Sequence, residues 1–146
     1  MKTKCWAFCV SIILSVSLKA ESFSPVGVWL VGSKDAKVEI YNRGDLLEGK
    51  IVWLQKPNGK DDKPALDEKN PDQKLRTRTI LNLILLQAFK KDTEENKWSG
   101  GTVYDAKSGK TYSGWIKMID ANNIKLRGFV GISLFGRSDE WTRDSL

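Results

Sequence analysis

Short segments in which apolar and polar residues alternate recur along this chain from residue 26 onward, with turn-forming residues between them. The clearest is 36–42, AKVEIYN, in which every second residue is apolar: Ala36, Val38 and Ile40. A period of two places these side chains on one face of a β-strand. Many short strands separated by tight turns predict an all-β barrel or sandwich.

About eight strands are predicted in this way. They cover residues 26–32, 36–42, 46–54, about 83–89, 98–105, 110–119, 124–131 and 139–143. Tight turns such as NRGD at 42–45 join neighbouring strands, so consecutive strands pair antiparallel. Because eight strands in sequential order close into a barrel that holds side chains or one small ligand, we predict a single antiparallel up-and-down β-barrel.

Two segments depart from this pattern. Residues 55–78 contain three prolines and no periodicity, and a loop of this length is usually a lid, a binding loop or a disordered segment. Residues 79–89, TILNLILLQAF, suit either a helix or a buried strand. We expect a short helical turn there that leads into a strand from about Leu83.

The first 20 residues have the layout of a secretory signal peptide. Lys2 and Lys4 precede an apolar run, 5–18, that is too short to cross a bilayer of roughly 30 Å, and Ala20 offers a small residue for cleavage. We therefore expect residues 1–20 to be cleaved, with a cut after Ala20 or alternatively after Ser22, and 21–146 to be exported, to the periplasm or beyond. An uncleaved membrane anchor is the alternative, although no stop-transfer pattern follows.

Residues 21–146 would form one domain without cysteine or histidine, since both cysteines lie in the first 20 residues. Three of the 24 basic residues and none of the 18 acidic ones also lie there, which leaves a charge of +3. A small, scattered charge argues against a nucleic-acid partner. Without His or Cys there is no Ser-His pair, no Cys nucleophile and no usual zinc ligand set, so catalysis would need carboxylates, lysine or tyrosine. We therefore expect no enzyme and no cofactor.

Two motifs suggest a functional site but have simpler structural explanations. The carboxylates of the long loop lack the alternating ligand spacing of a calcium loop and are interleaved with lysines, so a solvated charge run is expected rather than a metal site. They are Asp61, Asp62, Asp67, Glu68 and Asp72. The sequence RGD at 43–45 lies at a predicted hairpin tip, where glycine and aspartate are typical turn residues.

If the charged faces of the strands point outward, the side chains that point into the barrel are mainly apolar. This inward set comprises Val38, Ile40, Leu47, Ile51, Trp53, Tyr112, Ile116, Met118, Ile124, Leu126 and Val130. An outer-membrane barrel would reverse the two faces. However, most of these strands have seven to nine residues, and about 9 to 11 are needed to span a bilayer. We therefore expect a barrel that does not span the membrane after signal cleavage.

Part of this inward set and its neighbours could line a ligand cavity. The candidates are Trp53, Leu83, Leu85, Tyr104, Tyr112, Ile116, Met118, Phe129 and Phe135. Ligand pockets are mainly apolar with a few polar anchors, and Tyr104, Tyr112 and Arg127 could supply those. The leading hypothesis is an exported carrier of a small hydrophobic or amphipathic ligand. The alternatives are an interaction module with a packed barrel and, third, an enzyme.

A set of motifs distributed over the chain resembles a family of small exported bacterial proteins known as domain of unknown function 2147. They are the G-x-W beginning at Gly27, GKIVWL, NP, LRTR, WSGGTVYDAKSGKTY, LRGFVG and FGRSDEWTR. The resemblance runs from Gly27 to Arg143. Proline usually stands at positions 79 and 106 in that family, and glycine at 82. The resemblance implies a lipocalin-like β-barrel without implying a reaction, because fold alone does not set function.

The two ends of the chain also resemble the lipocalin signature. In that superfamily a G-x-W enters the first strand and an arginine near the end of the chain lies across the tryptophan. Gly27 and Trp29 match the first half, and Arg143 is the candidate for the second, with Arg137 as runner-up. The resemblance implies that these residues close the barrel between its first and last strands. Such a contact is structural, with a cation–π term of about 0.5 to 2 kcal/mol.

Overall fold

Eight strands form a closed barrel in the computed structural model, which describes residues 22–132 and 134–146. The strands are β1 (Gly27–Leu30), β2 (Ala36–Arg43), β3 (Leu46–Leu54), β4 (Ile84–Lys91), β5 (Lys97–Asp105), β6 (Lys110–Met118), β7 (Asn123–Phe129) and β8 (Gly136–Asp144). Each pairs antiparallel with the next, and β8 pairs with β1. The predicted up-and-down barrel is confirmed. The predicted signal peptide lies outside the described residues.

The differences in element boundaries are small. The first strand is shorter than predicted, and β8 begins at Gly136 rather than at residue 139. The helical turn expected before Leu83 is wrong, because a tight turn stands there instead. In it, the Leu83 amide donates to the Ile80 carbonyl at 3.1 Å, and Asn82 adopts a left-handed φ of 70°. A left-handed φ is the conformation that glycine adopts most readily, and here an asparagine adopts it.

The long β3–β4 connection is folded back on itself. It contains two short 3₁₀ helices, Lys60–Asp62 and Gln73–Leu75. Leu66 forms an isolated antiparallel bridge with Thr79, and the Ile80 amide donates to the Ala65 carbonyl at 2.9 Å. These bonds satisfy backbone groups locally, as a surface loop requires. The connection is therefore an ordered structure at one end of the barrel.

Apolar side chains fill one end of the barrel interior, called the closed end below. Trp29, Ile40, Phe89 and Ile116 are completely buried there. Charged residues lie on the outside of the strands, where cross-strand ion pairs include Lys50 with Glu39 at 3.0 Å. The apolar face therefore points inward. In the described part of the chain, no helix has the length and apolar character needed to cross a membrane.

Irregularities in strand pairing coincide with strand glycines. The register shifts on either side of Gly49 in the β3–β4 ladder and between Trp98 and Gly101 in the β5–β6 ladder. A Cβ atom on Gly101 would lie 2.5 Å from the Phe89 ring. The glycine therefore lets this ring pack directly against the backbone where the strand bends. Bending and close packing account for these glycines without a ligand.

Candidate functional site: the barrel cavity

A cavity of about 1100 Å³ opens at one end of the barrel. The four connections at that end, β1–β2, β3–β4, β5–β6 and β7–β8, each contribute to its lining, through Ser33, Ala65, Lys107 and Val130 for example. Its volume lies just above the usual range for ligand pockets, about 300 to 1,000 Å³. The barrel is therefore packed at one end and open at the other, with the long loop at the mouth.

Six of the nine predicted pocket residues line this cavity. They are Leu83, Leu85, Tyr104, Tyr112, Phe129 and Phe135. Ile116 and Met118 point inward as expected, but they are buried in the packed core at the closed end instead of lining the open space. Trp53 also lies away from the cavity. Val38, Ile51 and Leu126, which were predicted only as core, line its walls.

The inward orientation predicted for Trp53 is wrong. This side chain is 38% exposed, and the Lys37 Nζ lies 5.5 Å from the centroid of its ring. In the β2–β3 ladder Lys37 pairs with Trp53 while Val38 pairs with Ile51, so Val52 is an extra residue. A β-bulge of this kind shifts the alternation by one position. Ile51 and Leu54 consequently face the cavity, and Trp53 faces outward.

Two further positions in β7 and its connection differ from expectation. Val130, assigned to the inward set, is 70% exposed at the rim. Arg127, proposed as a polar anchor, faces outward and donates to Ser138 Oγ at 3.0 Å and to the Leu134 carbonyl at 3.1 Å. Arg127 follows the inward Leu126, so alternation places the two on opposite faces. Arg137 is the arginine that lines the cavity.

A buried carboxylate holds the long loop against the mouth. Asp67 is completely buried, and its two oxygens accept from Tyr104 Oη at 2.5 Å, Asn70 Nδ2 at 2.8 Å and Arg78 Nε at 2.9 Å. Arg78 also places its Nη2 2.8 Å from Asp67 and its guanidinium 5.6 Å from the Tyr104 ring centroid. The expectation of a solvated carboxylate is therefore wrong for Asp67.

The surroundings of this cluster determine the ionisation of its members. Burial by itself would raise the pKa of Asp67, but the hydrogen bonds from Tyr104, Asn70 and Arg78 outweigh it and lower that pKa. The pKa of Tyr104 is raised, first by burial and then by its hydrogen bond to the Asp67 carboxylate. Asp67 is therefore a charged acceptor, and Tyr104 is a neutral donor to it. No local sequence pattern marks this cluster, although the NP and LRTR motifs supply Asn70 and Arg78.

The acidic groups at the mouth are already engaged by donors. Asp35 pairs with Lys107 at 2.6 Å, and the Lys107 hydrogen bond is the main reason that the pKa of Asp35 is lowered. Asp105 accepts from Ser108 Oγ at 2.6 Å. Asp139 accepts from the Trp141 Nε1 at 2.6 Å. The mouth therefore presents few free acceptors to a ligand.

Trp29 and Arg143 meet at the closed end of the barrel. Trp29 is completely buried and pairs with Arg143 across the β1–β8 ladder, with the guanidinium carbon 4.2 Å from the ring centroid. The guanidinium nitrogens donate at 2.7 to 3.0 Å to three carbonyl oxygens, those of Ser24, Val26 and Ala121. Gly27 has a φ of 138°, and a Cβ there would lie 2.6 Å from Arg143 Nη1. These three residues form a unit remote from the mouth.

Comparison with known proteins agrees with the architecture. A family model described as an uncharacterized protein conserved in bacteria (DUF2147) matches residues 27–143. The chain belongs to this family. A comparison of the chain with curated proteins found no match. In the residues that the structure describes, no group of three or more His, Cys, Asp or Glu side chains could hold a metal ion.

One solved structure is similar to this DUF2147 barrel. It is protein HP1028 from the human pathogen Helicobacter pylori, which belongs to the lipocalin family. The TM-score is 0.74, the match covers 85% of each chain, and the sequences are 19% identical. At this identity the likeness shows the fold, which is lipocalin-like. Such a barrel suits small-molecule binding in general, because its interior can enclose one small ligand.

Proposed function

We propose that the protein is an exported, non-enzymatic carrier that holds one hydrophobic or amphipathic small molecule inside its barrel. The observation that carries this proposal is the open cavity of about 1100 Å³. A barrel whose own side chains filled the interior would leave no space for a ligand. The cavity therefore favours a carrier over a packed structural barrel.

The distribution of side chains supports the same proposal. The deeper wall is aliphatic and aromatic, with Val38, Ile51, Leu126 and Trp141 among its residues. The charged residues that line the cavity lie close to the connections at the mouth. An apolar body inside with a polar end near solvent is the arrangement expected of a pocket that binds an amphipathic ligand.

The non-enzymatic part of the proposal depends on the chemistry available. Residues 21–146 contain neither histidine nor cysteine, so acid–base catalysis would require a carboxylate, lysine or tyrosine. The completely buried carboxylate of Asp67 accepts hydrogen bonds from Tyr104, Asn70 and Arg78 and holds the long loop in place. Export is inferred from the character of residues 1–20 alone.

The direct test is native mass spectrometry of the protein purified from its own host, followed by lipid extraction. We expect an adduct of one small molecule per chain, and titration of the emptied protein with the apolar fluorophore N-phenylnaphthylamine should give saturable binding. Absence of both the adduct and fluorophore binding would overturn the carrier function.

A second candidate function is an interaction module that acts through the outer surface. The observation in its favour is the β7–β8 connection, which exposes four apolar side chains by 58% to 77%. These are Val130, Ile132, Leu134 and Phe135. A cluster of this kind is typical of a contact surface. Changing Ile132 and Leu134 together to serine separates the two functions, because a carrier should still bind the fluorophore with nearly unchanged affinity.

A further inference from the structure

The upper wall of the cavity has a bare patch between two polar side chains. Arg137 pairs with Gly128 across the β7–β8 ladder, and directly paired residues share a face of the sheet. A Cβ atom on Gly128 would lie 3.5 Å from the Tyr112 Cβ. All three residues line the cavity. Because Gly128 has no side chain, space is open between the tyrosine and the arginine.

Three donors of the cavity lining have no partner among the residues that the structure describes. Within residues 22–132 and 134–146, the Tyr112 hydroxyl, the Arg137 guanidinium and the Lys56 ammonium make no hydrogen bond or ion pair. The three acids of the lining, in contrast, are each engaged by a donor of the protein: Asp35, Asp105 and Asp139. The mouth of the cavity consequently has donors without a protein partner, two of them cationic, whereas its carboxylates already accept hydrogen bonds from the protein.

We propose that the cavity selects amphipathic anions, with Arg137 and Tyr112 holding the anionic head group at the mouth and the apolar tail lying on the aliphatic wall. This inference rests on the proposed carrier function and names its ligand class. A guanidinium presents paired N–H groups that match a carboxylate in a bidentate geometry. The phenol adds a single donor, and Lys56 elsewhere on the cavity lining adds a positive charge.

The neighbouring Arg127 provides a matched control. It lies one residue before Gly128 on β7 but on the outer face, where it contacts Ser138 and the Leu134 carbonyl. Both arginines belong to the same pair of strands, so replacing either removes one positive charge from the same region. Only the replacement at 137 removes a charge from the cavity.

The test compares two probes with the same tail, dodecanoic acid and dodecanol, by displacement of N-phenylnaphthylamine at about pH 8, where carboxylic acids are ionised. We expect the natural chain to bind the acid more tightly than the alcohol. Arg137→Gln should weaken acid binding by about five- to tenfold, or about 1 to 1.4 kcal/mol, and leave alcohol binding unchanged. Arg127→Gln should change neither, and Arg137→Lys should recover part of the preference.

Salt provides an independent readout. Added salt should weaken acid binding to the natural chain and have little effect on Arg137→Gln, because exposed charges are screened. Equal affinity of the natural chain for acid and alcohol, or an equal effect of Arg137→Gln on both, would overturn the anion preference and leave the carrier function standing. Binding of neither probe, with no displacement of the fluorophore, would count against both proposals together.

Discussion

Replacing Asp67 with asparagine should release the long loop from the mouth of the barrel. The carboxylate is completely buried and receives donors from Tyr104, Asn70 and Arg78. An asparagine of the same shape has one acceptor oxygen, and its NH₂ group would face donors of Asn70 or Arg78. The variant therefore loses acceptors and places one donor against another at a side chain that is completely buried.

The expected cost follows from these contacts. Hydrogen bonds to charged groups contribute about 1.5 to 3 kcal/mol each, and removing one member of a fully buried ion pair costs about 3 to 5 kcal/mol. Arg78 is 37% exposed, so solvent can hydrate it when its partner is lost, and asparagine keeps one of the acceptors. We expect a destabilisation of about 2 to 3 kcal/mol, or about 7 to 12 °C in Tm for a domain of this size.

The cost should also depend on pH. Because the pKa of Asp67 is lower in the folded protein than its ordinary value of 3.8, the unfolded state binds the proton first as acid is added. The contribution of the Asp67 carboxylate to the free energy of unfolding is therefore complete above pH 3.8. It is lost as the pH falls below that value and through the lower pKa of the folded state. The difference in stability between the natural chain and Asp67→Asn should shrink as the pH falls through this window.

Urea unfolding over a range of pH and amide hydrogen exchange measure these effects. Asp67→Asn should accelerate exchange of the Asp67 and Ile80 amides, which donate to Arg78 and Ala65 carbonyls within the loop. Asp61→Asn, an exposed carboxylate of the same loop, is the matched control and should change little. Unchanged stability and unchanged exchange in Asp67→Asn would refute the role assigned to the cluster.

Two further predictions concern the closed end and the cavity wall. Trp29→Ala should destabilise the protein by about 3 to 5 kcal/mol, the usual cost of truncating a buried aromatic side chain to alanine. Trp53→Ala should cost much less, because the Trp53 side chain is exposed. The folded fraction of Trp29→Ala should keep its ligand preference, and a stable variant that no longer binds would contradict a purely structural role. Gly128→Leu should lower fluorophore affinity by about five- to tenfold, or about 1 to 1.4 kcal/mol, while Lys125→Leu on the outer face should not. Equal affinities in the two leucine variants would show that the fluorophore binds elsewhere.

The barrel was predictable because its signals are local. Alternation with a period of two fixes which residues share a face, and turn residues fix which strands are neighbours. The strand β3, Leu46–Leu54, begins and ends at the predicted residues. The resemblance to the lipocalin signature adds the closure between Trp29 and Arg143, a pairing that alternation within single strands does not reveal.

The site was less predictable because it depends on interruptions and long-range contacts. One extra residue, Val52, turns Trp53 outward, and nothing in the local sequence distinguishes a bulge from continued alternation. The hydrogen bond between Tyr104 and Asp67 joins residues 37 positions apart. A loop carboxylate among lysines gives no indication that it will be buried. Arg127 was a different error, since alternation with Leu126 already placed it outside.

Closure between the ends of the chain also governs how the barrel folds. Arg143 reaches the Ser24 carbonyl across 119 residues, and β1, only four residues long, pairs with both β2 and β8. Closing so long a loop carries a large entropic cost before any contact compensates for it, and sheets rich in distant pairings fold slowly. The hairpins can form in sequence order, but the ring joins only when the last strand is available. We therefore expect Trp29 to be buried late in folding, after most of the sheet has formed.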